Sequence, residues 1–170
     1  MNIMINQIPD SPLSVIPSLN ATIFNNFCDF IFSITQNTVP TEMDKKLSSF
    51  IEPTKFLTSF RDYMNMLIIN VERNDRNGDY TMIYTIFIIM KVRQLGITIN
   101  YNNIRRLLLM SFIIKTKLLD DLAYVNQDWA FISGLKVEEI NLMEEQLMKL
   151  LDYNIFIREE HVNHIMKSII

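Results

Sequence analysis

The sequence predicts an all-α fold, and three observations carry that prediction. Residues 103–121, N-I-R-R-L-L-L-M-S-F-I-I-K-T-K-L-L-D-D, are apolar from 107 to 114 except at Ser111, contain no Gly or Pro, and are rich in leucine, which favours helix over strand. Elsewhere apolar residues recur at three- and four-residue spacing instead of alternating. The 170 residues hold only 3 Gly and 5 Pro, few turn formers for a hairpin-rich sheet protein. A helix apolar on nearly all sides has to be wrapped by other helices. The expected architecture is therefore a five-helix bundle around a central helix at 103–119, with an N-terminal helix before it and a short C-terminal helix after it.

In chain order, residues 1–17 carry Pro9, Pro12 and Pro17 among polar residues and read as a flexible arm. Residues 18–48 read as an N-terminal helix and a linker. Ile23, Phe27, Phe30, Ile31 and Ile34 keep helical spacing over 18–36 behind a candidate N-cap at Ser18 or Asn20. Residues 37–48, N-T-V-P-T-E-M-D-K-K-L-S, break that period at Pro40. The helical body occupies 49–157. Pro53 suits the first turn of a helix reaching Val71, with Phe56, Phe60, Tyr63, Met64 and Leu67 behind it. Residues 72–79, E-R-N-D-R-N-G-D, read as a charged turn, and a helix over 80–94 stops at Gly96. After the central helix, which alone reads as apolar on most faces, a shorter element at 126–132 surrounds Trp129 and Phe131 and ends at Gly134. The next helix, 137–152, gathers Val137, Ile140, Met143, Leu147, Leu150 and Leu151 on one face with Glu144 beside it. Residues 158–170 form the tail, with a terminal helix at 159–169.

Composition narrows the function classes. One cysteine, Cys28, excludes an internal disulfide framework and leaves an intracellular home, cytoplasm or nucleus, as the expectation. A net charge of −3 lacks the footprint of a phosphate-backbone binder, so nucleic acid is not an expected partner. The apolar runs 82–90 and 107–114 fall far short of the ~20 residues that span a bilayer, and the first residues lack a basic signal start, so no membrane association is expected. There is no glycine-rich phosphate loop or serine-nucleophile motif, hence no catalytic residue and no cofactor to assign.

Cys28 lies in the Phe24, Phe27, Phe30 stripe and reads as packing. His161 and His164 are two ligands at most, read as solvated, and no metal site is expected. Asp120, Asp121 and Asp128 invite comparison with magnesium-diphosphate motifs, but the position that such a motif needs is Tyr124. Carboxylates at a helix C-terminus oppose its dipole, so Asp120 and Asp121 are expected to have specific partners.

Three stretches carry a family resemblance: R-R-L-L-L-M-S-F-I-I-K-T-K-L-L-D-D at 105–121, Y-V-N-Q-D-W-A-F-I-S-G-L at 124–135, and E-I-N-L-M-E-E-Q-L-M-K-L-L-D-Y-N-I at 139–155. Together they resemble the cyclin box of the P/U type, whose pattern runs roughly H-R-L-L-L-T-S-x-M-V-A-A-K-F-L-D-D and then Y-x-N-x-x-Y-A-x-V-G-G-I. The resemblance covers 96–155, with S-F-R-D-Y-M at 59–64 matching the first box helix and 18–36 the helix before the box. It implies no enzyme but a regulatory subunit that binds and activates a cyclin-dependent protein kinase; a cyclin-fold scaffold that recruits a protein partner without activating it is the alternative.

By position, Lys117 falls on the lysine of A-A-K and Glu144 on the glutamate of the fifth box helix, which implies that the pair faces the kinase. Asp120, Asp121, Phe27 and Ile31 are expected as further partner contacts. The chain departs from the pattern at Met90-Lys91, where an Asp-Arg pair is usual, at Met66 in place of an arginine, and at Lys136 in place of a capping serine.

Overall fold

The structure, a computed structural model, describes residues 21–53, 59–71, 78–120 and 123–169, with the main chain alone at 68–71. Among the described residues seven α-helices follow in order: α1 (Ala21–Ile34), α2 (Phe60–Val71), α3 (Gly78–Gln94), α4 (Ile104–Leu119), α5 (Asn126–Ser133), α6 (Val137–Leu150) and α7 (Glu159–Ile169). A 3-10 helix, Met43–Phe50, lies between α1 and α2. Among the described residues the sole extended pairing is an isolated parallel bridge between Gln36 and Asn100.

Helix α4 is the axis of the bundle. Every side chain from Leu107 to Thr116 is buried, and α2, α3, α6 and the 3-10 helix pack around it. Helix α5 lies on α6 and sends Trp129 inward, edge-on to Phe112 of α4 at 6.0 Å between ring centres. Burying an aromatic ring of that size in a shaped contact is a large share of what holds so short a helix in place.

Helix α3 is the departure from expectation: α4 is not alone in being apolar on most faces. Met82, Tyr84, Ile86, Ile88 and Ile89 of α3 are all buried, because α3 is covered by α4 on one side and by α1 and α7 on the other. The N-terminal and terminal helices thus form a second layer over α3, and α1 also meets α7 directly.

Several element boundaries differ from the sequence reading. The connection at 37–48 contains most of the 3-10 helix, which tertiary ties impose: the Asp44 carboxylate accepts the Thr41 N–H and the Thr98 N–H, each at 2.7 Å, while Leu47 and Phe50 are buried. Pro53 is not helical, since the chain there is drawn toward the start of α4 by the Glu52 N–H on the Asn102 carbonyl at 2.8 Å. Helix α2 begins at Phe60, where the Ser59 carbonyl accepts the Tyr63 N–H at 3.0 Å. Gly78 and Asp79, read as the end of a turn, are already the first turn of α3. Helix α6 ends at Leu150, short of Asp152, because Asp152 and Tyr153 adopt left-handed backbone (φ 51 and 57) and the Tyr153 N–H closes back on the Met148 carbonyl at 2.9 Å.

Gly96 and Gly134 stop α3 and α5 with φ of 92 and 74, a conformation that side chains resist. The expected arm at 1–17, the caps Ser18 and Asn20, Phe56 and the turn residues 72–77 lie outside the described residues.

Candidate functional site

The last turns of α4 carry two lysines on different faces, since positions 115 and 117 are about 200° apart around a helix. Both place positive charge near the C-terminal end of the dipole, where it is favourable. Lys115 turns inward, 1% exposed, and pairs with Asp120 at 3.2 Å. Asp120 caps α4 at its C-terminus, so its specific partner is this buried lysine, which stands where the quoted cyclin pattern has alanine.

Lys117 turns outward to α6, where its Nζ lies 2.9 and 2.8 Å from the two oxygens of Glu144. The side chains are 31% and 29% exposed, so the pair sits at the surface with reachable heads. Asn126, at the start of α5, donates its Nδ2 to Glu144 Oε2 and to Asn141 Oδ1, both at 2.7 Å. This small network joins the ends of α4 and α5 to the middle of α6. It does not saturate its members: an ammonium has three donors and a carboxylate about four acceptor positions. The pair can therefore bind a main-chain carbonyl and an N–H of an approaching protein without first breaking. The same three elements and the loop between α4 and α5 expose apolar side chains at Leu119, Tyr124, Val125, Phe131 and Leu142, a composition suited to an interface with polar anchors.

The other residues expected at a partner surface are placed differently. Phe27 and Ile31 are fully buried, fixing α1 to the body, so the expectation that they touch a partner is corrected; the strongly exposed aromatic of α1 is Phe32, 65% accessible and 6.4 Å from the Phe60 ring. Asp120 is engaged internally by Lys115, and Asp121 lies outside the described residues. Cys28 is buried and its thiol is pushed up to about 11, chiefly by burial, consistent with packing. His161 is not simply solvated: its ring lies 5.1 Å from that of Phe87, and its Nδ1 accepts the Arg158 N–H at 3.1 Å at the start of α7. Among the described residues no group of three or more His, Cys, Asp or Glu could hold a metal ion, and no helix is long and apolar enough to cross a membrane.

Sequence reasoning missed the polar knot at the opposite end of α4. Arg105 holds the Glu52 carboxylate through Nη2 and through Nε at 3.1 Å. Arg106 donates to the Ser49 carbonyl at 2.8 Å and to Glu139 of α6 at 3.1 Å, with Glu52 3.4 Å from its Nε. Gln146 of α6 accepts both the N–H and the hydroxyl of Ser49. These bonds fix α6 against α4 and so set the crossing at which Lys117 reaches Glu144.

The Glu139 carboxyl is held below the usual range, first of all by the Lys136 N–H; burial pushes the other way, and Arg106 adds to the lowering through its hydrogen bond and its charge. The same Lys136 contact, 2.9 Å to Glu139 Oε2, caps the start of α6 from within and substitutes for the missing serine. Local spacing offered no signal for a pair as remote as Arg105 and Glu52. It did offer one for Asp44, since Thr41-Glu42-Met43-Asp44 has the spacing of a helix-start box.

The cyclin family model matches residues 33–155, from the end of α1 to just past α6. The chain is similar to Cyclin-U4-2 of Arabidopsis thaliana, 32% identical over 105 residues that cover 62% of this chain and 48% of that protein. Cyclin-U4-3 of the same plant is 31% identical over 59% of this chain and 45% of its own length. PHO85 cyclin-7 of Saccharomyces cerevisiae is 35% identical over 60 residues, 35% of this chain and 21% of that protein. The chain thus spans about half the length of the plant relatives that it matches. With a helical bundle wrapped on α4, a match over residues 33–155 and relatives of the U and PHO85 kinds, the chain belongs to the cyclin family, in its P/U type.

Proposed function

We propose that this chain is a regulatory subunit, working inside the cell in cytoplasm or nucleus, that binds and activates a cyclin-dependent protein kinase. The chemistry belongs to the kinase. A glutamate on the kinase C-helix has to pair with the strand lysine that orients ATP, so a protein that binds only the inward position of that helix activates by shifting the population. Taking such an equilibrium from about 1:99 to 99:1 requires ~5.5 kcal/mol of differential binding. A partly apolar surface such as that around α4, α5 and α6 is suited to that demand.

The observation that carries this reading is the preformed Lys117–Glu144 pair, 2.8 Å apart and a third exposed, on the two helices for which the resemblance implies kinase-facing residues. The pair supplies orientation, its free donor and acceptor positions taking main-chain groups of the kinase before its C-helix. Charge-assisted bonds of this kind are worth about 1.5–3 kcal/mol each.

The test is to capture the bound kinase from the native cell and titrate it with the purified chain. Lys117→Ala or Glu144→Ala is expected to weaken binding about ten- to a hundredfold, at ~1.4 kcal/mol per tenfold, with the helical melt kept. The double variant is expected to lose less than the sum, because the two share one network. Tight binding that leaves the kinase unstimulated would replace activation by the scaffold reading. Neutral effects of both substitutions on binding and on phosphorylation rate would overturn this mode of docking.

A further inference from the structure

A groove of about 430 Å³ opens between the C-terminal half of α3, the segment after α6 and the outer face of α7. None of the residues that make the Lys117 network lies in it. Its charged lining is of one sign: Lys91 and Arg158 face the space beside the imidazoles of His161 and His164, and no carboxylate lines it among the described residues. That is notable in a chain of net charge −3. Lys91 and its neighbour Met90, which also lines the groove, are the residues at which the chain departs from the Asp-Arg pair of the quoted cyclin pattern.

The Lys91 head is held in the wall by the Asn154 carbonyl and by the Phe87 ring, 5.1 Å from its centre. Burial pulls the Lys91 pKa down, a penalty that an arriving anion relieves. Arg158 reaches outward, 77% exposed, with the Glu160 carboxylate 3.7 Å from its Nη1 at the rim. Phe156 leaves 66% of its surface in water on the same lining, a large apolar side chain.

We infer that this groove is a second docking surface, distinct from the Lys117–Glu144 spot, and that it takes a short acidic segment of a protein partner bearing one apolar side chain. Carboxylates of the segment meet Arg158, His164 and the remaining donors of Lys91, and the apolar side chain covers Phe156 and Met90. Single-sign lining selects the charge of the occupant and speeds its arrival. The exposed ring selects a peptide with an apolar anchor over a bare anion. Glu160 weakens Arg158 in the free protein and swings aside without cost to the core, being exposed.

Fluorescence anisotropy of a labelled peptide of Asp and Glu around one central Leu tests this on the whole chain. Saturable binding is expected, weakened about tenfold by Arg158→Glu or by Phe156→Ser and unchanged by Lys117→Ala, with circular dichroism melts confirming the folded state of each variant. The matched Lys-based peptide and the acidic peptide with Ser for Leu are expected to bind at least about tenfold more weakly. Absence of saturation up to ~1 mM peptide, or equal binding by Arg158→Glu and Phe156→Ser, would overturn the inference. A phosphoserine version that binds where the carboxylate version does not would replace the acidic occupant by a phosphorylated one. Because Lys117→Ala is expected to spare peptide binding while it weakens kinase binding, failure of either reading leaves the other standing.

Discussion

The two ends of α4 carry ion pairs of the same chemical kind in opposite settings. At its start, Arg105 and Arg106 are gathered around Glu52, 6% exposed, and Glu139. At its end, Lys117 meets Glu144 with nearly a third of each side chain in water. The helix dipole explains part of the contrast. Cations at a helix N-terminus are unfavourable and need anionic partners brought from elsewhere in the chain, whereas a cation at the C-terminus is already favoured and can stay at the surface. Burial explains the rest. The Arg106–Glu52 contact, with side chains 13% and 7% exposed, is costly to break, whereas the Lys117–Glu144 pair, open to water on both partners, adds little to stability and remains available to a partner.

The largest effect is expected at the start of α4. Arg106→Ala leaves Glu52 with Arg105 as its one cation and the Ser49 carbonyl without its donor, so it should cost about 2–3 kcal/mol and lower Tm by roughly 4–12 °C. A shift as small as that of a surface pair would erase the contrast between the two ends.

Next comes Asp44→Ala, which strips the acceptor from the Thr41 and Thr98 N–H groups at a fully buried position. About 1–3 kcal/mol should be lost in urea unfolding, with the slope m unchanged. A normal midpoint would mean that the 3-10 helix is held by Leu47 and Phe50 alone.

A pH profile sharpens the comparison further. The folded-state pKa of Glu139 is depressed below its ordinary 4.5. Its contribution is therefore complete above that value and is lost as pH falls through the lower folded value. Melting temperature followed down from pH 6 should drop less for Glu139→Gln than for the natural chain across that acid window; parallel curves would count against the contact with the Lys136 N–H and Arg106.

The smallest expected effect on stability is that of Lys117→Ala. Removing an exposed pair should change the unfolding free energy by less than about 1 kcal/mol, within which a loss of partner binding can be read cleanly. A large loss of stability there would make Lys117 a structural residue, and the distinction between the two ends would fall.

Much of this arrangement is legible in the amino-acid sequence. The run at 107–114 marks α4 as the axis, the stripe Ile23, Phe27, Ile31 marks one apolar face of α1 without saying what covers it, and Gly96 and Gly134 mark two helix ends. Lys117 and Glu144 stand out by their places in a family pattern. Their meeting at 2.8 Å does not, because it depends on how two helices cross.

What the sequence by itself determined was therefore helical periodicity, the order of the elements and the family to which they belong, since these are written in residues a few positions apart. Only the tertiary structure decided that Phe27 and Ile31 are sealed inside, that α3 is covered on both sides, and that Asp44 turns a linker into a 3-10 helix. It also decided that Arg105 finds Glu52 across 53 positions of chain. The physical reason is that burial and charge pairing belong to surfaces brought together by packing, and one helix stripe does not specify which surface will cover it.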